Sequence, residues 1–178
     1  MTSSAAARAR LYGYRAFYHL PLRWRRAAVR MVSTKYSVGA VVLVFDRDAA
    51  RDGVRRMLLL HQPPGRGWSL PGGVLNRHED PADGAARELS EETGIRLDPA
   101  ALAPAAPNAV VHPHGRWVDM VFEAHIDPAT EVTVDGGEVF EAAWYRLDEL
   151  PRLTTATAAL LGRYGIGPRA AGEPEVAA

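Results

Sequence analysis

Hydrophobic positions along this chain change their period several times, and each change predicts an element. Leu11, Tyr14, Phe17 and Tyr18 recur at spacings of three and four, and Trp24, Ala28 and Met31 resume that spacing beyond Pro21. Residues 11–34 therefore predict one or two short amphipathic helices broken at Leu20–Pro21. From Tyr36 to Asp46 the pattern becomes continuous and valine-rich, as in a strand buried on both faces. A charged, hairpin-like connection over 46–53 leads to a second strand at Arg55–Gln62. Pro63–Gly67 reads as a turn or loop. A short strand around Trp68–Leu70 then enters Pro71-Gly72-Gly73.

The next element carries its own punctuation. Asp80 can cap a helix whose first residue is Pro81, where a missing N–H costs nothing. Gly94 marks its C-terminal end. Beyond a Pro/Ala-rich connection over Asp98–Asn108, strands are predicted near Ala109–His112, Arg116–Ile126 and Val139–Arg146. A closing helix follows over Thr154–Tyr164, then a loose tail from Pro168. Strands mixed with helices, one of them inserted between strands, predict an α/β/α sandwich around a mixed sheet. The expected organisation is a helical extension over 1–35, a domain over 36–166 and a tail over 167–178.

Charge sharpens that division. The chain has 178 residues, Lys+Arg 21 and Asp+Glu 21, yet the sum of zero hides a split. Residues 1–45 hold eight basic side chains (Arg8, Arg10, Arg15, Arg23, Arg25, Arg26, Arg30 and Lys35) and no acid. The remaining 133 residues carry 13 basic and 21 acidic ones, a net of −8. An Arg-, Ala- and Ser-rich start resembles an organellar transit peptide. The simpler reading is a cytoplasmic bacterial protein with an arginine- and alanine-rich composition. The longest apolar run, Val38–Phe45, has eight residues, against about 20 needed to cross a bilayer. Absence of cysteine excludes a disulfide framework, a thiolate zinc site and a cysteine nucleophile.

Candidate chemistry is concentrated in Gly73–Ile95. Glu88, Glu91 and Glu92 stand at i, i+3 and i+4, so a helix presents them from one face within about 6 Å of one another. Three like charges that close are tolerated on a solvated face or around a cation. Arg87 beside them, Glu79 two turns earlier and Gly72-Gly73 after a strand favour the cation. Oxygen donors without Cys or His select Mg²⁺, with Mn²⁺ as the alternative. Mg²⁺ completes its octahedron with water and phosphate oxygens, so the cluster predicts a phosphate-bearing substrate.

The spacing Gly73-x5-Glu79-x7-Arg87-Glu88-Leu89-x-Glu91-Glu92-x-Gly94-Ile95 resembles the signature of the Nudix hydrolases at every fixed position. At average residue frequencies its chance probability is on the order of one in a billion per start position. The resemblance implies a mixed-sheet α/β/α sandwich and hydrolysis of a small nucleoside diphosphate derivative: a nucleoside triphosphate, a nucleotide sugar or a dinucleotide. It implies that Glu88, Glu91 and Glu92, with the Gly73 carbonyl, hold the divalent metal. Glu79 and Arg87 would form an ion pair bracing the loop against the helix, with Leu89 facing the core. The general base would be a glutamate of the box, such as Glu91 or Glu92, or one shortly before a Trp-containing strand, here Glu138 or Glu141 ahead of Trp144. Two positions depart from the common form, Asn76 replacing a glutamate and His78 a glycine.

Substrate contacts are less sharply marked. Trp68, Trp117, Phe122 and Trp144 could stack on a base, although aromatics on strands are more often core. His112, His114 and Arg116 lie in one loop and could reach phosphate or ribose. The rival to a hydrolase is a nucleotide-sensing or nucleic-acid-binding module that uses the basic front end. Arginines and aromatics do interleave there, but helical spacing of the apolar residues favours a helix packed on the domain. Contact with nucleic acid or an anionic membrane surface through residues 8–35, and a homodimer interface, are the alternatives.

Overall fold

Up to Val32 the described chain is chiefly helical, and from Ser37 onward its described residues are organised by one sheet. In the computed structural model, which describes residues 3–48, 53–63, 67–112, 115–134 and 136–170, the chain separates into two units, Met1–Lys35 and Tyr36–Ala178. The first holds α1 (Ser3–His19) and α2 (Leu22–Val32). Proline cannot continue a helix; here Pro21 opens α2, its carbonyl accepting from the Trp24 N–H at 2.9 Å. α1 starts well before residue 11 because Ser3–Arg10 is rich in alanine and arginine, strong helix formers without an apolar stripe.

In the second unit β1 (Ser37–Asp46) is the central strand. It runs parallel to β6 (Trp117–Ile126) along its whole length. Its other edge is shared: Gly39–Val41 pair antiparallel with β4 (Gly72–Val74), and Phe45 faces Met57 of β2 (Arg56–His61). β2 continues the sheet through β3 (Trp68–Ser69) and β7 (Glu141–Arg146), both antiparallel, while β5 (Ala103–Val111) closes the far edge against β6. The sheet is therefore mixed, with β1–β6 parallel and the other pairs antiparallel.

Alternation along β1 feeds two cores. Ala40, Val42 and Val44 pack with Ala85, Ala86 and Leu89 of α3 (Pro81–Thr93), whereas Leu43 and Phe45 pack with Leu160 and Leu161 of α4 (Thr155–Gly162). A helix on each face explains why the strand is apolar without interruption. α3 begins as its sequence predicts: the Asp80 side chain accepts from Ala82 N–H at 2.9 Å, Pro81 is the first residue, and Gly94 adopts the left-handed conformation that ends it.

One stretch differs from expectation. Asp98–Asn108 reads as a connection, yet it forms a 3-10 turn at Pro99–Ala101 and then enters β5 at Ala103. Proline is tolerated on an edge strand, whose N–H groups need no second neighbour. The cost is a register shift between Pro104 and Ala109.

Candidate active site

Glu92 lies at the point where α3 meets Gly72 and Gly73 at the start of β4. It is 6% exposed. One carboxylate oxygen accepts from the Gly72 N–H at 2.8 Å and the other from Gln62 Nε2 at 2.5 Å. Gln62 is itself oriented by the Ser69 hydroxyl, which donates to its Oε1 at 2.8 Å. Residues at the end of β2, in β3 and at the start of β4 thus converge on one carboxylate. Burial pushes that carboxyl up to about 7, a shift that Glu88 and Glu138 reinforce as like charges and the two hydrogen bonds only partly offset.

Gly72 has to be glycine here, because its φ is +152° and a Cβ would approach the Ala40 carbonyl to 2.3 Å. At Gly73 a Cβ would fall 2.5 Å from the Glu88 carboxylate. The start of β4 therefore fits against β1 and α3 through missing side chains.

Arg87 organises the rest. Its Nε and one terminal nitrogen grip both oxygens of Glu79 at 2.8 and 3.0 Å. Its other terminal nitrogen lies between Glu88 at 2.8 Å and Glu91 at 3.0 Å. The Arg87 hydrogen bonds hold the Glu79 carboxyl down to about 2, helped by the Asn76 N–H. Leu89, on the opposite face, is fully buried in the core.

Fit to a divalent ion can be judged from this donor set. Among the described residues no three His, Asp or Glu side chains already converge as a metal cage. Instead the Arg87 guanidinium bridges two box carboxylates and supplies the positive charge between them. The third, Glu92, is buried where Glu88 and Glu138 add further negative charge. Carboxylate oxygens and the Gly73 carbonyl are hard donors suited to Mg²⁺ or Mn²⁺, so the residues present fit such an ion.

The remaining candidates separate. Glu138 acts on the charge of Glu92, whereas Glu141, the first residue of β7, acts on Tyr145. His112 turns its Nε2 to Asp119 at 2.7 Å, and the Trp117 indole N–H donates to the same carboxylate. Trp68 is stacked on His61 with centroids 5.4 Å apart and meets Tyr145 edge-on at 4.7 Å, half-buried against the core on the α4 side. Arg116 is exposed, Gly94 serves as the helix cap, and His114 lies outside the described residues. Gln62, Ser69 and Asp119 escaped the sequence reading. Each is a single polar residue on or beside a strand, with no spacing to advertise it.

Comparison with known proteins follows the same lines. The family model described as NUDIX domain matches residues 35–162. An RNA pyrophosphohydrolase of Bartonella henselae is 37% identical over 73 residues, covering 39% of this chain and 42% of that protein. A CMP-5'-(N-acetyl-N-hydroxy-3-aminopropyl)phosphonate hydrolase of Streptomyces rubellomurinus is 37% identical over 119 residues, covering 57% and 52%. The chain thus spans about half the length of these curated relatives. Among solved structures, a MutT NUDIX hydrolase of Burkholderia pseudomallei superposes with a TM-score of 0.57 at 29% identity, covering 72% of this chain and 97% of that one.

Proposed function

The chain belongs to the Nudix family, and we propose that it is a Mg²⁺-dependent pyrophosphohydrolase acting on a small nucleoside diphosphate derivative. The observation that carries this reading is the buried Glu92 carboxylate, fixed by Gly72 and Gln62 beside Glu88 and Glu138. A protein gains no stability by collecting negative charge where water is scarce. It gains a place for a cation and, through it, for a diphosphate.

In this reading Glu88, Glu91, Glu92 and the Gly73 carbonyl hold the ion. When bound, the ion supplies charge neutralisation for the diphosphate oxygens and acidifies the attacking water. The chain's own residues do the rest. Gly72 N–H and Gln62 keep Glu92 in one orientation, so no side chain must be ordered at the moment of reaction. Arg87 locks the loop to α3 through Glu79. Glu138, the candidate whose charge acts on Glu92, accepts the proton of the attacking water, and a phosphate-linked group leaves.

Phosphate or nucleoside monophosphate release from nucleoside triphosphates, nucleotide sugars and dinucleotides tests this reading. With Mg²⁺, at least one substrate is expected to turn over, with Glu92→Gln reducing kcat at least a hundredfold, roughly the effect of removing one preorganised electrostatic group. Wild type matching Glu92→Gln on every substrate would leave the non-catalytic binding module as the correct reading.

A further inference from the structure

We propose that the α1–α2 unit is a docking surface for an anionic phospholipid bilayer. No residue of α2 is buried. On its helical wheel Arg23, Arg26 and Arg30 form one stripe, and Trp24, Ala28, Met31 and Val32 form another nearly opposite to it. Met31 and Val32 are 82% and 85% exposed, and Trp24 is 58% exposed. Tyr12, Tyr14 and Tyr18 of α1 are exposed as well, the amphipathic aromatics that favour a headgroup layer.

Charge identifies the occupant. Residues 1–45 contain eight basic side chains and no acid, so within the unit no carboxylate neutralises its field. Arg25 is instead laid over the Tyr18 ring at 5.5 Å, and Arg23 over Trp24 at 6.0 Å. Between the helices a groove of about 360 Å³ is lined by Phe17, Leu22 and Val29 together with Arg25, Arg26 and Arg30. Its lining is almost wholly apolar, as an acyl chain requires, while the guanidiniums of the Arg23, Arg26 and Arg30 stripe suit the phosphodiester. Aliphatic side chains as exposed as Met31 and Val32 bring nothing to a nucleic acid, which offers stacking and phosphate but no hydrocarbon layer. A second copy would bring the same positive field. No described helix is long and apolar enough to cross a membrane, so the contact is interfacial.

The full chain is sedimented with vesicles of phosphatidylcholine alone or mixed with phosphatidylglycerol, and separately titrated with single-stranded RNA. Binding to the mixed vesicles is expected, falling as salt is raised, with little on phosphatidylcholine alone. Replacing Arg23, Arg26 and Arg30 together by glutamine should weaken vesicle binding on the order of a hundredfold without altering turnover of a soluble substrate. The blue shift of tryptophan fluorescence on the vesicles should vanish in Trp24→Phe. Equal partition onto both vesicle types, no partition onto either, or RNA binding stronger than vesicle binding would each overturn the proposal. None of these outcomes bears on the hydrolase reading, which is decided by turnover.

Discussion

At the scale of single residues, Glu92 is where the proposed chemistry and stability meet. Its carboxyl titrates near 7 in the folded chain, raised from 4.5 chiefly by burial. Between those two values the folded state holds a proton that the unfolded chain has released. Without metal, stability from this group therefore falls as pH rises through the window and levels off above it. Measured in chelator, Glu92→Gln should gain on wild type between about pH 5 and about pH 8, by on the order of 3 kcal/mol at most. Mg²⁺ should restore wild type and leave the variant unchanged. A stability difference that is flat with pH would show that Glu92 is not the buried acid described. The carboxylates of α3 were legible in the sequence because their spacing is helical. Gln62 and Asp119 were not, because a lone polar residue at a strand looks the same whether it faces water or a carboxylate. His78 shows another kind of legibility: it stands where relatives of the motif often have glycine, and its φ is +67°, a left-handed backbone that a side chain adopts at some cost.

At the scale of elements, the strand β1 holds the site together by what it lacks. Gly39 sits opposite Val74 of β4 and Asp119 of β6. A Cβ there would lie 2.8 Å from the Asp119 carboxylate, 2.9 Å from the Gly73 carbonyl and 2.9 Å from the Trp117 ring. In a strand, alanine normally improves on glycine, since it restricts the unfolded chain. Gly39→Ala should do the reverse, costing about 1–3 kcal/mol as an overpacked position, readable as a lower denaturation midpoint in urea. It should also lower turnover by shifting the Gly73 carbonyl against α3. A stabilised variant would mean that β1 and β4 part easily at this point. Helix ends were readable from Asp80, Pro81 and Gly94, whose chemistry acts within a few residues. The pairing of β5 was not, because its Pro/Ala-rich sequence is strand-like only when an ordered neighbour supplies the edge.

At the scale of the whole chain, a net charge of zero joins two units of opposite sign, +8 up to Lys35 and −8 after it. The acidic unit would be repelled by an anionic bilayer and by the diphosphate it is proposed to bind. An ion at the box relieves the second repulsion, and the basic unit overcomes the first. Lys35 is the single lysine of the chain; it lies between α2 and β1, in exposed, irregular backbone. A lysine-specific protease acting on the native protein should therefore cut once, at the junction of the two units. The fragment from Tyr36 onward should keep its thermal midpoint, which resides in the two cores flanking β1, and its kcat/KM for a soluble substrate. It should no longer sediment with phosphatidylglycerol vesicles, because its own charge is negative. Loss of turnover on cutting would instead make the helical unit part of the catalytic machinery, and retention on vesicles would place the lipid contact on the acidic unit, against its charge.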